Sequence, residues 1–576
     1  MVCKISPKAN GIPRGLNSDE QDKTLDVADY DTALDAAGYG RLSRSALGAC
    51  VCAFFASGVE NCVMSYVLPA AKCELQLTTY QAGLLNMAFM SGGVASAFFW
   101  GIVGDVLGRR NTLSMTLLLD AALTLAQSTV PDYWLLLAAR TLNGFIIGGP
   151  ATLVFPYLSD LVGEKKRQFY LSMVGMSFVL AWLVLPAIAW LIIPFKIPDY
   201  KTLLPIYSWR LYLALGSVPG FIAGLWVLYL PESPRLLLDT NRSEKALKLL
   251  AYIHKTNNRD GSEFKVKKLI QANILVTKTV SGEENRTKVL FMGVLKDLKI
   301  LVSKMYAVKS VLILFVFFCN MAAGFGLNMW IPELMLRMQG RACKNATNVT
   351  DRVLFNATNI TWVELVKFNG GYKEEKIAIN ESFDGHERKK CDDSIDDEVF
   401  KSGIIVGAIC VLGNAACALL CARGGAKGVR IAAAACAGAC AIACGCLAAT
   451  ACGCSNYNKI AVAAAAALNA ASLNGNVLLI RLLLHALPPK LSGMAVCWGA
   501  WWGRAGGVAS NLAVGVLLDF SCAAPFISVG ALLALSIGAI MVIRLEEPKQ
   551  DKTEDAVDQG GLEKNTGLDR YISTYM

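Results

Sequence analysis

Along most of its length the chain alternates between apolar runs of about 20 residues and short breaks rich in charge, glycine or proline. A helix needs about 20 mostly apolar residues to cross roughly 30 Å of hydrocarbon, and inside a bilayer it satisfies its own backbone hydrogen bonds. The pattern predicts twelve transmembrane helices, over 46–68, 80–104, 111–130, 133–157, 168–193, 209–230, 308–332, 399–421, 429–453, 459–484, 491–518 and 523–544. The ninth, "IAAAACAGACAIACGCLAATACGC", and its Ala-rich successor draw less transfer energy than Leu-rich spans, but their small residues favour close helix packing. Six spans precede a polar stretch at 231–307 and six follow it, which predicts an all-α membrane protein of two six-helix bundles, 46–230 and 308–544.

Composition supports the same class. Of 576 residues 54% are hydrophobic and 17% charged, too apolar for ordinary soluble domains. The short loops set an orientation: Arg109 and Arg110, Lys165 to Arg167, and Arg423, Lys427 and Arg430 all fall on one side, which the positive-inside tendency makes cytosolic. The 231–307 linker lies there too, and its 15 Lys and Arg against 8 Asp and Glu account for most of the formal +10. The basic balance therefore needs no nucleic acid as partner. An even span count places both tails, 1–45 and 545–576, in the cytosol, and the polar first 40 residues hold no cleavable signal, so the first span is expected to direct insertion.

That topology places 333–398 on the lumenal or extracellular side. Asn-x-Ser/Thr triplets cluster there at Asn345, Asn348, Asn356, Asn359 and Asn380, and N-glycosylation is expected among them. Asn285 matches the same pattern but lies in the cytosolic linker and is discounted. Cys343 and Cys391 are the only cysteines of this loop, and its oxidising side permits a disulfide joining the loop's two ends. The other seventeen of the 19 cysteines fall nearly all inside helices, as small packing residues. No CxxC pair stands near the three histidines, no phosphate-cradling G-x4-G-K-(S/T) is present, and scattered serines make no triad. Neither a metal, a cofactor nor an enzyme is indicated.

Local motifs narrow the class. "GIVGDVLGRR" joins spans 2 and 3 by a glycine-broken turn, with Gly101, Asp105, Gly108 and Arg109 placed either as a latch of charge-assisted hydrogen bonds or as a positive topogenic loop. "ARTLNGFIIGGP" places Arg140, grouped with the latch residues, near a helix start and Gly144 and Gly148 one turn apart, for close packing. "PESPR", from Pro231, ends span 6 and supplies a charged pair to the linker. Within the linker, "SEKALKLLAYIHK" has the spacing of an amphipathic helix, to lie on the membrane surface or against the bundle bases.

Together these features resemble the major facilitator superfamily. The turn matches its G-x3-D-(R/K)-x-G-R-(R/K) motif except at Val106, "PESPR" is the signature of its sugar-porter and organic-ion branches, and "LEEPK" is similar to the ending of its second half. Within it, "SGVE", "VLPAAK", "GEKKR", "AWLIIP", "YSWRLYL" and "PESPRLLL" resemble the synaptic vesicle glycoprotein 2 family, almost throughout the first half. The 333–398 loop is similar to that family's lumenal loop, though shorter and without its aromatic pentads. The second half departs: "CARGGAKGVR" has Ala422 at the acidic position, Ile480 beside Arg481 replaces another acid, and Ser57 replaces the aspartate that usually precedes "GVE".

Glu60 lies inside a span, where an ionised carboxylate is costly and marks either a coupling or cation-binding group or a neutral interhelical hydrogen bond. Trp190 and Trp330 stand where the resemblance implies tryptophans lining a central cavity; interfacial anchoring is the other reading. Asn86, Asn143, Asn320 and Asn328 line a path or join helices. Arg504 is a candidate partner of a substrate anion or carboxylate, Asp519 ends the same span, and Arg481 and His485 can snorkel to the cytosolic surface. The resemblance implies a vesicle or plasma membrane transporter moving a small organic solute by alternating access, with or without proton coupling. The alternative is a non-transporting glycoprotein on a transporter fold, an organiser or receptor that binds vesicle proteins.

Overall fold

The computed structural model describes residues 27–96, 99–195, 208–240, 242–258, 264–269, 299–303, 306–339, 395–421, 426–452, 458–487 and 489–543. Its transmembrane helices begin with α2 (Arg41–Cys62), continued across Val63 by α3 (Met64–Ala71), and α4 (Thr79–Ser96), continued by α5 (Phe99–Leu107). There follow α6 (Arg109–Gln127), α7 (Tyr133–Ser159), α8 (Glu164–Ile192) and α9 (Ser208–Leu228). Beyond the linker, α12 (Ala307–Met321) runs through a π-helical turn, Ala322–Gly326, and a 3-10 turn, Leu327–Trp330, into α13 (Ile331–Gln339). The last five are α14 (Asp397–Cys421), α15 (Ala426–Cys452), α16 (Asn458–Ala486), α17 (Pro489–Phe520) and α18 (Ala524–Val542).

Among the described residues, eight of these runs are long and apolar enough to cross a membrane, nine if α4 and α5 are one bent span. Three more have the length but carry polar residues mid-helix: Asp120 in α6, Arg140 and Asn143 in α7, and Arg504 and Asn511 in α17. Asp120, Arg140, Asn143 and Asn511 are buried between helices, so the same spans can still present an apolar outside. Leu191, Val308, Leu412, Ile442 and Leu535 point outward and exposed, the arrangement expected of lipid-facing positions.

The described parts of the tail and linker pack on one face, the linker face. Strand β1 (Val27–Ala28) pairs in parallel with β2 (Lys268–Leu269), and α1 (Tyr30–Ala36) follows β1. At the start of the linker, α10 (Pro234–Asp239) is capped by the Ser233 hydroxyl, which accepts from the Leu236 amide. The amphipathic segment forms α11 (Ser243–Asn257), with Ala246, Leu250 and Ile253 buried, against the base of the first six helices. Asn257 fixes it there: its Oδ1 accepts from the amides of Leu42 at 3.0 Å and Ser43 at 3.3 Å, occupying orphan donors at the start of α2. Of the two placements the sequence allows for this helix, the structure takes the second.

The opposite side is the loop face. The five sequons and Cys343 and Cys391 lie outside the described residues, while the segment counted as loop from residue 333 begins as helix through Gln339. Cys73 and Cys522, in loop-face connections, are disulfide-bonded, which corrects their grouping with the packing cysteines.

The apolar core shows how the two halves of the chain meet. Near the linker face the first half has its own cluster, around Leu113, Tyr157 and Leu250, and the second half another, around Phe317, Leu482 and Ile540. Toward the loop face one cluster spans both, joining Leu85, Phe89 and Leu185 to Leu327, Phe400 and Val514. The halves touch where α4 meets α17 and α8 meets α14, and small residues allow it: Gly83 lies against Gly515, and Gly407 against the backbone of Trp182 and Leu183. Within the first half Gly144 is as crowded, since an added Cβ would come within 1.9 Å of the Phe89 carbonyl oxygen. Gly144→Val is therefore expected to cost about 1–3 kcal/mol of overpacking, seen as a lower thermal midpoint of detergent-solubilised protein; an unchanged midpoint would show that α4 and α7 are not packed backbone to backbone.

Candidate functional site

Helical spacing gathers the charged groups of the first six helices. Asp120 and Thr124 are four apart on α6, Arg140 and Asn143 three apart on α7, and each pair shares a helix face. Both faces meet Glu60 near the end of α2. Arg140 Nη1 donates to Glu60 Oε2 at 3.1 Å and to Asn143 Oδ1 at 2.8 Å, while Nη2 donates to the Glu60 carbonyl at 3.1 Å. Thr124 donates to Glu60 Oε1 at 2.8 Å, and Asn143 Nδ2 donates to Asp120 Oδ1 at 2.6 Å. The guanidinium lies 4.3 Å from the centroid of the Phe89 ring, a cation–π contact.

None of the five polar residues is more than 2% exposed. Taking such charges out of water is expensive, and the Glu60 to Arg140 pair persists because each carboxylate oxygen and both terminal nitrogens find partners. Sequence reasoning does not reach Asp120 and Thr124, although Asp120 is a lone acid in "TLLLDAALTL", the same signal that marks Glu60.

Next to this cluster, between the two halves, lies a cleft of about 530 Å³ counting its open mouth. Cys62, Ser65 and Tyr66 of α2 and α3, Trp182 of α8, Asn328 of the 3-10 turn and Asn469 of α16 are among its walls, and among the described residues that line it none is charged. Four of them present buried polar atoms with no hydrogen-bond partner among the described residues: Ser65 Oγ, Trp182 Nε1, Asn328 Oδ1, and both amide atoms of Asn469. Buried polar groups are normally satisfied, so this set of donors and acceptors is suited to a polar molecule or to water. A second cleft, sharing Ser65, holds Asn86, whose Nδ2 is also unpartnered, together with Trp330, Lys72, Glu333 and Arg337.

The contacts that close the loop face bridge the halves. Glu333 of α13 accepts from Lys72 at 3.4 Å and from Arg337 at 2.9 Å, and Arg337 also donates to the Thr79 hydroxyl at 2.7 Å and the Leu518 carbonyl at 3.3 Å. Trp190 Nε1 donates to Asp397 at 3.1 Å, and Tyr66 stacks on Phe400. Midway along the α4–α5 run and α17, Arg504 Nη1 donates to the Gly93 carbonyl at 2.6 Å. Between described residues, the hydrogen bonds from half to half run from this contact to the loop face.

At the linker face the glycine-broken turn forms a separate cluster. Arg109 binds Asp160 at 2.6 Å and Asp105 at 3.3 Å, Ser233 donates to Asp160, and the Arg110 amide donates to Glu232 at 2.9 Å. Gly108 is required where it stands: its φ is 101°, and a Cβ would meet the Glu232 carboxylate. Tyr30 of α1 donates to the Asp160 carbonyl at 2.7 Å, and burial pushes its phenol well above the usual value, keeping it a donor.

Several sequence expectations are relocated by these positions. Arg140 is not part of the linker-face cluster; it stands two turns inside α7, against Glu60. Trp190 and Trp330 do not face one another across a cleft. Trp190 is held at the loop-face edge by Asp397 and Lys401, whereas Trp330 is buried, donates to Asn511 at 3.1 Å and lines the second cleft. Arg504 finds a backbone carbonyl, not a carboxylate. Gly101 has open space around it, Asp519 is exposed, Asn320 bridges to Ser472 and Asn476, and Val106 points outward where the family motif carries a basic residue. Asp160, Ser65, Trp182, Asn469 and Glu333 escape a reading of the sequence, since isolated polar residues are common both at helix ends and within spans, and only the packing converges them.

Comparison with known proteins fits this geometry. Residues 49–343, slightly more than half of the chain, match the family model of the Major Facilitator Superfamily, and the chain belongs to that family. Synaptic vesicle glycoprotein 2B of Rattus norvegicus is 29% identical over 335 residues, 56% of this chain and 49% of that protein. Synaptic vesicle glycoprotein 2A of Rattus norvegicus is 31% identical over 248 residues, 43% of this chain and 33% of that protein. The chain thus spans about half or less of the curated relatives it matches. Among solved structures, the inward open xylose transporter XylE from E. coli is 14% identical with a TM-score of 0.59, covering 88% of this chain and 98% of that one. The partially occluded inward open form gives a TM-score of 0.57. At such identity the likeness is one of fold.

Removing Arg140 leaves a buried carboxylate without its cation, and removing Glu60 strips the guanidinium of the acid it contacts directly. Glu60→Ala or Arg140→Ala is expected to cost about 3–5 kcal/mol, and the double change less than the sum of the two. Denaturation of the purified single and double variants checks this, and additive losses would show that the two side chains do not interact.

Proposed function

We propose that this protein carries a small organic solute across a membrane by alternating access, its two six-helix bundles rocking about the clefts between them. One observation carries the reading: the halves close on each other toward the loop face, while the interface holds a cleft with unpaired polar atoms. On this reading the linker face is cytosolic, the loop bearing the sequons is lumenal or extracellular and glycosylated, and the described conformation faces inward. The uncharged walls of the first cleft favour a neutral, hydrogen-bonding solute over an ion. The Glu60 and Arg140 pair serves as the coupling group, because Glu60 sits on α2 within a turn and a half of Ser65.

Reconstitution in liposomes tests this directly, with uptake measured across a pool of small sugars, organic cations and carboxylates, with and without an inward proton gradient. Gradient-driven uptake is expected from wild type and its loss from Glu60→Gln. No uptake of any compound by folded protein would instead favour a glycoprotein that organises or receives vesicle partners on a transporter fold.

The loop-face closure has its own consequence. Glu333→Ala removes the shared acceptor of Lys72 and Arg337, and labelling of Cys62 by an impermeant maleimide from the loop side, read by peptide mass spectrometry, is expected to rise several-fold. Labelling no faster than in wild type would show that these ion pairs do not hold the clefts shut.

A further inference from the structure

The buried cluster contains two carboxyl groups and one guanidinium. Glu60 takes the guanidinium directly, through its carboxylate and its own carbonyl. Asp120 receives a hydrogen bond from the neutral amide of Asn143, and the charged groups that act on it are Glu60 from α2 and Arg140 from α7. On the other side of α6, α9 brings Gly220 against Ala121 and Leu117, which adds no charge. With every group ionised the site would hold one uncompensated negative charge at 2% exposure or less, which protein interiors avoid by taking up a proton. One bound proton makes the cluster neutral.

We propose that Asp120 is the proton-binding carboxyl of this protein, neutral while Arg140 is paired with Glu60. The hydrogen bonding favours Asp120 over Glu60 as the protonated partner. Glu60 accepts from Arg140 and from Thr124, both of which suit a carboxylate, whereas Asp120 meets one amide. Asn143 links the two acids, accepting from Arg140 with Oδ1 and donating to Asp120 with Nδ2. Arg140 is thus a single side chain away from a second carboxylate. If α2 shifts when the cleft at Cys62 and Ser65 fills, Glu60 leaves Arg140 and becomes hydrated. Arg140 then pairs with Asp120, whose carboxyl gives its proton to water and becomes the carboxylate. The position of the proton follows from the cluster alone; its use in driving a solute rests on the transport reading above.

Infrared spectroscopy of the purified protein in lipid at neutral pH tests this through the C=O stretch of a protonated carboxyl. The wild-type-minus-Asp120→Asn difference is expected to contain that band, and it should move when aspartate, not glutamate, carries ¹³C at the side-chain carboxyl. In Glu60→Gln, where Arg140 is free to take Asp120, the band should disappear. A band that moves with labelled glutamate and vanishes in Glu60→Gln while surviving in Asp120→Asn would place the proton on Glu60 and overturn the proposal. So would the absence of any aspartate-sensitive band from folded wild type. The isotope comparison uses wild type alone, so it stands even where a variant fails to fold. An Asp120 band combined with uptake indifferent to the proton gradient would leave the proton site in place and remove the coupled-transport reading.

Discussion

A guanidinium can be kept in a membrane interior only if its partners are already in place, and Arg140 imposes that condition on four helices at once. It draws Glu60 from α2, Asn143 along its own α7, Asp120 and Thr124 from α6 through Asn143 and Glu60, and the ring of Phe89 from α4. The spans α6 and α7, two of the three that carry polar residues mid-helix, are those that supply this cluster. Their polar positions and their place inside the bundle have one cause: each mid-helix polar residue must face another rather than lipid. Close packing of α4 on α7 at Gly144 brings Phe89 over the guanidinium.

The cluster and the clefts share α2 and α3, and this joins the charge chemistry to the bundle interface. Val63 separates the two helices, with Glu60 just before it and Ser65 and Tyr66 just after. On the far side of the interface, the π-helical and 3-10 turns that carry Asn328 and Trp330 occupy the corresponding stretch of α12 and α13. Irregular turns free backbone groups and tilt side chains away from regular spacing, a feature often found at functional positions. The linker-face cluster of Arg109, Asp160 and Ser233 joins the first half to the start of the linker, its described partners all lying before the linker helix α11.

The fold class is legible because a soluble fold seldom has use for repeated apolar runs of about twenty residues, whereas a bilayer demands them, and helices stand at all twelve of the expected positions. Legibility ends where function depends on which helix faces meet. Glu60 is visible as an acid in a span; its partner is not, because Arg140 reads equally well as part of a packing motif. Asp120 obeys the same rule as Glu60 but has neighbours that supply no motif. Trp190 and Trp330 show the opposite error: occurring one in each half does not make them opposed, since Trp190 lies at a helix end and turns to Asp397. Ser65, Trp182 and Asn469 carry no local signal at all, and only the orphaned atoms they present to a common space single them out.

The hydrogen bond from Arg504 to Gly93 lies midway along the helices that carry it, where the closed part of the interface begins. It can be thought of as a fulcrum. From Gly93 to Thr79 α4 rises about 20 Å, at roughly 1.5 Å per residue. A relative tilt of about a tenth of a radian would move the outer ends by about 2 Å, enough to part an ion pair such as Lys72 with Glu333, while disturbing the central bond by only tenths of an ångström. A carbonyl acceptor suits that place, because it carries no charge to be gained or lost as conditions on either side change. The protein would thus possess a mechanical centre indifferent to the chemistry at its ends, and leverage in place of large local motion.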